Sequence, residues 1–103
     1  MPSRVEQFRA LVAQQPDNEL FRFTLAQSLL ADGCLTEAVP HLEYCVAKKS
    51  DWMMPRILLG KLLVQLSQIQ AAKPHLEDAL RLAIAQNHEE PMLELKAMLA
   101  ELP

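Results

Sequence analysis

The sequence predicts an all-α chain of about six helices, folded as antiparallel helix hairpins stacked side by side. Three observations carry this. Ala38-Val39-Pro40-His41-Leu42-Glu43 returns as Ala72-Lys73-Pro74-His75-Leu76-Glu77, 34 residues later and identical at five of six positions. A fixed period of that length marks stacked helical hairpins, each too small to bury its apolar face alone. The same offset pairs Leu25 with Leu59, Ala26 with Gly60, Leu29 with Leu63, Leu35 with Ile69 and Val46 with Leu80. Finally, only two glycines stand among 103 residues, half of them apolar and many of them Leu, Ala, Gln or Glu. Those side chains lose little rotamer freedom in a helix.

The first helix is expected over Ser3 to Gln14. Val5, Phe8, Leu11 and Val12 recur on one helical face, and Ser3 with Glu6 has capping-box spacing. Pro16 ends this helix by pushing the preceding residue out of the helical region. Asp17 or Asn18 then caps a second helix running to about Ala31. It carries two apolar stripes, Phe21, Leu25, Ser28 and Leu29 on one side and Leu20, Phe23 and Leu30 on the other. A helix resting on one core needs a single stripe, so the second requires another neighbour or a partner.

Asp32-Gly33 makes the turn, with glycine supplying the left-handed conformation that ends a helix. A third helix follows from Leu35 or Thr36 to Lys48, with Leu35, Ala38, Val39, Leu42, Cys45 and Val46 inward. Pro40 costs little there if the helix starts at Glu37 and bends it if the helix starts earlier. Ser50-Asp51 is expected to cap a fourth helix, Met53 to Leu66, with Pro55 in its first turn. Its nearly continuous apolar surface makes it the central helix. The fifth helix is expected over Ser67 to Ala85, with Ile69, Ala72, Leu76, Ala79, Leu80 and Ala83 inward.

Asn87 and Glu90 suggest a capping box for a last helix to about Leu102. Aligning Pro91 with Pro55 gives an offset of 36, which pairs Leu59 with Leu95, Leu63 with Leu99 and Leu66 with Leu102. The last helix therefore looks like the first half of a third repeat. No long loop interrupts the chain, so residues 1–103 are expected to form one domain.

This pattern resembles the tetratricopeptide repeat (TPR) family, which stacks helix-A/helix-B hairpins with a period of about 34 residues. The resemblance implies a right-handed superhelical stack: an N-terminal helix within residues 1–18, repeats at 19–52 and 53–86, and a C-terminal capping helix at 87–103. The family's small-residue positions are filled by Ala26 and Gly60, Ala38 and Ala72, and Cys45 and Ala79. Its large packing positions are filled by Leu25 and Leu59, Leu29 and Leu63, and Leu42 and Leu76. The chain departs from the family at Arg22 and Arg56, where an aromatic is usual, at Leu29 and Leu63, where a tyrosine is usual, and at Ser50, which replaces the repeat-ending proline.

The family binds partners on a concave face lined by A-helices. By resemblance, that face takes Leu20, Phe23, Gln27, Leu30 and Ala31 from the first repeat and Met54, Ile57, Lys61, Val64 and Gln65 from the second. Six of these ten are Leu, Phe, Met, Ile or Val, and an exposed surface that apolar marks an interaction site unless a terminal helix folds over it. The function expected is a protein–protein adaptor. It takes a peptide or protein segment into a groove of Leu20, Phe23, Gln27, Leu30, Met54, Ile57, Lys61 and Val64, with Lys61 and Arg56 meeting an acidic group. The Lys/Asn clamp that some family members use for a terminal carboxylate is not matched, because the equivalent places hold Phe23, Gln27, Ile57 and Lys61. The alternative is self-association as a homodimer. Met92, Met98, Leu102 and the Trp52-Met53-Met54 run would then form the adaptable surface.

Other classes find little support. The net charge is −3 with no basic run beyond Lys48-Lys49, so no nucleic-acid partner is expected. No apolar stretch approaches the roughly 20 residues of a spanning helix. The first residues lack a signal peptide's apolar segment, and two cysteines without such a signal fit a reducing, cytoplasmic setting. His41 and His75, with Glu43 and Glu77 nearby, would lie on neighbouring helices about 8–10 Å apart, and no His-x3-His or Cys-x2-Cys pair starts a metal site. Both histidines are expected to be exposed residues copied with their repeat. Cys45 and His41 share a helix face but lack a third orienting group and an oxyanion hole. No enzyme activity, metal or cofactor is expected.

Overall fold

The computed structural model describes residues 3–103. It contains α1 (Arg4–Gln14), α2 (Glu19–Ala31), α3 (Leu35–Lys48), α4 (Met53–Gln65), α5 (Ile69–Ala85) and α6 (Glu89–Glu101), with no strand among the described residues. The chain divides into two compact units between Ser50 and Asp51. In the first, α2 and α3 form a hairpin and α1 packs on α2; in the second, α4 and α5 form a hairpin and α6 packs on α5.

Both hairpins are antiparallel and have the same register. In the first unit, Cys45 Sγ near the end of α3 donates to the Glu19 carbonyl at the start of α2, 3.4 Å away. The Arg22 guanidinium lies 4.2 Å from the centre of the Tyr44 ring. In the second unit, Arg56 of α4 pairs with Asp78 of α5 at 3.1 Å. Arg22 and Arg56 stand 34 residues apart, and so do Tyr44 and Asp78. The sequence period is therefore also a period of cross-helix pairing.

Burial follows the same period. Leu25 and Leu59, Leu29 and Leu63, Ala38 and Ala72, Leu42 and Leu76, and Cys45 and Ala79 are all at most 4% exposed. Ala26 and Gly60 are buried as well. The small residues set how closely the helices approach. A Cβ added at Gly60 would lie 2.5 Å from Leu76 Cδ2, well inside van der Waals contact. Burying each leucine stabilises the fold by about 1.5–3 kcal/mol relative to leaving it in water. The second unit closes around Ile57, Leu76, Ala79, Ala83 and Leu95, with Met53, Val64, Leu80, Met92, Met98, Leu99 and Leu102 packed against them.

Three turns share one geometry. Gly33, Ser67 and Asn87 adopt positive φ values of 79°, 61° and 58°. In each case the following N–H reaches back to a carbonyl five residues earlier: Cys34 to Leu29 (2.8 Å), Gln68 to Leu63 (2.8 Å) and His88 to Ala83 (2.9 Å). These are Schellman motifs, which satisfy the last carbonyls of α2, α4 and α5. Two expectations are corrected here. Ser67 does not open α5, which begins at Ile69, and Asn87 does not cap α6 but ends α5.

The helix starts divide by local chemistry. Ser3 Oγ accepts from the Glu6 N–H at 3.2 Å and Asn18 Oδ1 from the Phe21 N–H at 3.1 Å, both as side-chain caps. Ser50-Asp51 does not cap α4; the N-cap is Trp52, which makes no side-chain capping bond. α3 begins at Leu35, earlier than the start at Glu37 that would have left Pro40 in the first turn. Pro40 is thus the sixth residue of α3, as Pro74 is of α5. Neither can donate to the carbonyl four residues back, at Thr36 and Gln70. Both prolines are exposed.

Candidate interaction surface

The positions expected to line a binding face fall on α2 in the first unit and on α4 in the second. On α2, Leu20 is 60% exposed. Gln27 and Ala31 are exposed, while Phe23 and Leu30 are half-buried. The other stripe of the same helix is covered by α1. The Phe8 and Phe21 rings meet edge to face with centroids 6.3 Å apart, and Arg4 Nε donates to Ser28 Oγ at 3.1 Å. The two stripes thus have different fates: one is core beneath α1, and the other still carries Leu20 at the surface.

On α4, Met54 is 45% exposed in the first turn. The rest of the expected face differs from the sequence reading. Ile57 is only 8% exposed and belongs to the core of the second unit. Val64 packs against that core, which Leu95 of α6 helps to close. An open apolar groove over Ile57 and Val64 is therefore not present in this unit. α6 supplies one of the neighbours that the nearly continuous apolar surface of α4 required.

The expected cations are also engaged. Lys61 forms an ion pair with Glu94 of α6. Arg56, with a side chain 12% exposed, is paired with Asp78. Arg56 is thus taken up inside its hairpin, whereas Lys61 stays at the surface, its side chain 42% exposed. Most of the self-association patch is taken up too: Met53, Met92, Met98 and Leu102 pack on the unit core, leaving Met54 as the exposed member of the set. The large apolar residues that sequence reasoning missed are Ile84, 51% exposed, and Leu93, 55% exposed. Leu93 stands 36 residues after Ile57, so the offset that aligned Pro91 with Pro55 already placed it on the equivalent helix face.

Arg22 and Arg56 occupy the places where the resembled family sets an aromatic. Arg22 Nε donates to the Pro16 carbonyl at 2.7 Å while the guanidinium covers Tyr44. Tyr44 in turn donates to Asp17 Oδ1 at 3.3 Å. Both arginines clamp the second helix of their hairpin, one through a ring and one through a carboxylate.

The histidines are not simple surface residues. His41 and His75 are half-buried, and Nδ1 of each is buried. Burial holds the His41 pKa below its ordinary value, and the neighbouring Arg22 adds to this. Cys45 is fully buried, and burial pushes its thiol up to about 11, so it stays protonated and unreactive in the folded state. Among the described residues, no group of three or more His, Cys, Asp or Glu side chains could hold a metal ion. No described helix is long and apolar enough to cross a membrane.

No protein-family profile matches the chain, and no curated protein sequence matches it significantly. Its fold is similar to the solution structure of protein BPP2914 from Bordetella parapertussis, with a TM-score of 0.78 and 27% identity over 97% of this chain and 87% of that one.

Proposed function

We propose that this chain is a non-catalytic, cytoplasmic protein-interaction module of the tetratricopeptide type. It takes apolar or amphipathic segments of a partner protein against the exposed part of α2 in the first unit and of α4 in the second, each unit by itself. The observation that carries the reading is the pair Leu20 and Met54. They stand 34 residues apart, at the same place in the first turn of each hairpin, and both remain exposed, at 60% and 45%. One exposed apolar residue is ordinary; the same position left apolar and exposed in both hairpins is what a contact surface requires. Covering such side chains contributes at about 25 cal/mol per Å2 of apolar area, offset by the cost of association. Because Arg56 is paired and largely buried, recognition rests chiefly on apolar anchors.

The test is photo-crosslinking from positions 20 and 54, compared with Glu43 and Glu77, which are exposed on the second helix of each hairpin. The reading expects a common partner from the first two positions, lost in a Leu20→Asp, Met54→Asp double variant that keeps its helical circular dichroism. Equal yield from Glu43 and Glu77, or a partner retained by the folded double variant, overturns it. Ile57 is unsuitable as a probe, because a charge there would disrupt the core.

A further inference from the structure

Arg9 of α1 and Glu37 of α3 form an ion pair at 2.7 Å, which ties the first helix to the far side of its hairpin. Glu37 lies one helical turn before His41, and residues at i and i+4 face each other on a helix. Nδ1 of His41 is buried and has no hydrogen-bond partner. The charged groups that act on this imidazole are Arg22 from α2, Glu37 from its own helix and Arg9 from α1. Arg22 cannot move away to relieve the crowding, since it is fixed between the Pro16 carbonyl and the Tyr44 ring. The imidazole is thus flanked by two cations and one carboxylate, with the Arg9–Glu37 pair half-exposed, and keeps one polar atom unmet.

We propose that His41 is a proton-operated release for α1. A proton taken from solvent makes both ring nitrogens N–H donors and places a third positive charge beside Arg9 and Arg22. The one carboxylate in reach, Glu37, then turns toward the imidazolium one turn away and leaves Arg9. α1 loses its tie to α3, meets like charge there, and is left held by its contacts with α2 alone, Phe8 on Phe21 and Arg4 on Ser28. When α1 lifts, His41 meets water and holds its proton more readily, so proton uptake and release of α1 reinforce each other.

The direction of the pH effect follows from the folded imidazole being held below its ordinary value, mainly by burial. The docked state is fully favoured above the ordinary histidine value of about 6.5 and loses stability as pH falls through and below it.

The experiment is an NMR titration of the full chain from pH 7.5 to 5.0, following the His41 ring signal and the hydrogen-exchange protection of α1 amides, corrected for intrinsic exchange. The expected result is a His41 midpoint below 6.5, with a loss of protection at Val5 and Phe8 several-fold greater than at Leu76 and Ala79. His41→Gln flattens that pH dependence, and Glu37→Gln weakens α1 protection already at pH 7.5. A His41 midpoint at or above 6.5 overturns the proposal, as does an α1 pH profile unchanged in His41→Gln. The wild-type titration decides the matter alone if the variant fails to fold.

Discussion

Ser67 occupies the turn position that Gly33 holds in the first hairpin, with φ of 61° against 79°. Both turns make the same backbone bonds, so one hairpin is a control for the other. An L-residue in the left-handed region costs about 1–2 kcal/mol. Ser67→Gly removes that cost, but it also loosens the unfolded chain by about 0.4–1 kcal/mol. The net expectation is a gain of about 0.5–1 kcal/mol, or a rise in melting temperature of roughly 2–6 °C for a chain of this size. Gly33→Ser should lose a similar amount. Urea unfolding followed by far-ultraviolet circular dichroism measures both, and a midpoint that moves at constant slope reports stability itself. If Ser67→Gly is neutral or harmful while Gly33→Ser is harmless, the turn geometry is not what limits these hairpins.

Other perturbations have clear directions. Gly60→Val places a branched side chain where even a Cβ would press on Leu76; it should cost about 1–3 kcal/mol or more by overpacking, read as a lower urea midpoint. Asp78→Ala leaves the mostly buried Arg56 guanidinium without its carboxylate and should cost about 1–3 kcal/mol, with Asp78→Asn recovering part of it. Alkylation followed by mass spectrometry should label exposed Cys34 and spare Cys45 until the chain unfolds. Labelling of Cys45 at the Cys34 rate in native buffer would refute the buried, high-pKa thiol.

What the sequence revealed was mostly what short-range chemistry decides. Ser3 and Asn18 could be recognised as caps because the bonds they make reach only three residues along. Asn87 has the same outward pattern, a polar residue three before Glu90. There the choice went to the preceding helix, which needed a left-handed residue to close its last turn. Ser67 was hidden for a related reason, since serine does not advertise a positive φ as glycine does. The nearly continuous apolar surface of α4 is visible in the sequence, but not what covers it: Leu95 of α6 is 38 residues beyond Ile57, and periodicity says which residues seek a neighbour without saying which neighbour arrives. His41 and His75, expected as exposed residues copied with their repeat, are half-buried. Each directly precedes a fully buried leucine and follows three residues after a fully buried alanine, so their position on the helix carries them partly inside. Arg22 and Arg56 looked like departures from a pattern until the residues opposite them, Tyr44 and Asp78, were seen to be spaced by the same 34.

Pro40 and Pro74 leave one rung missing from the ladder of each second helix, at the same height in both hairpins. Five residues stand ahead of the gap, and the fully buried Leu42 and Cys45, or Leu76 and Ala79, anchor the stretch behind it. The stretch ahead of the gap is held as well, because Ala38 and Ala72 are fully buried there. The missing rung therefore lies between two anchored points, and any give at that height is confined to the proline itself.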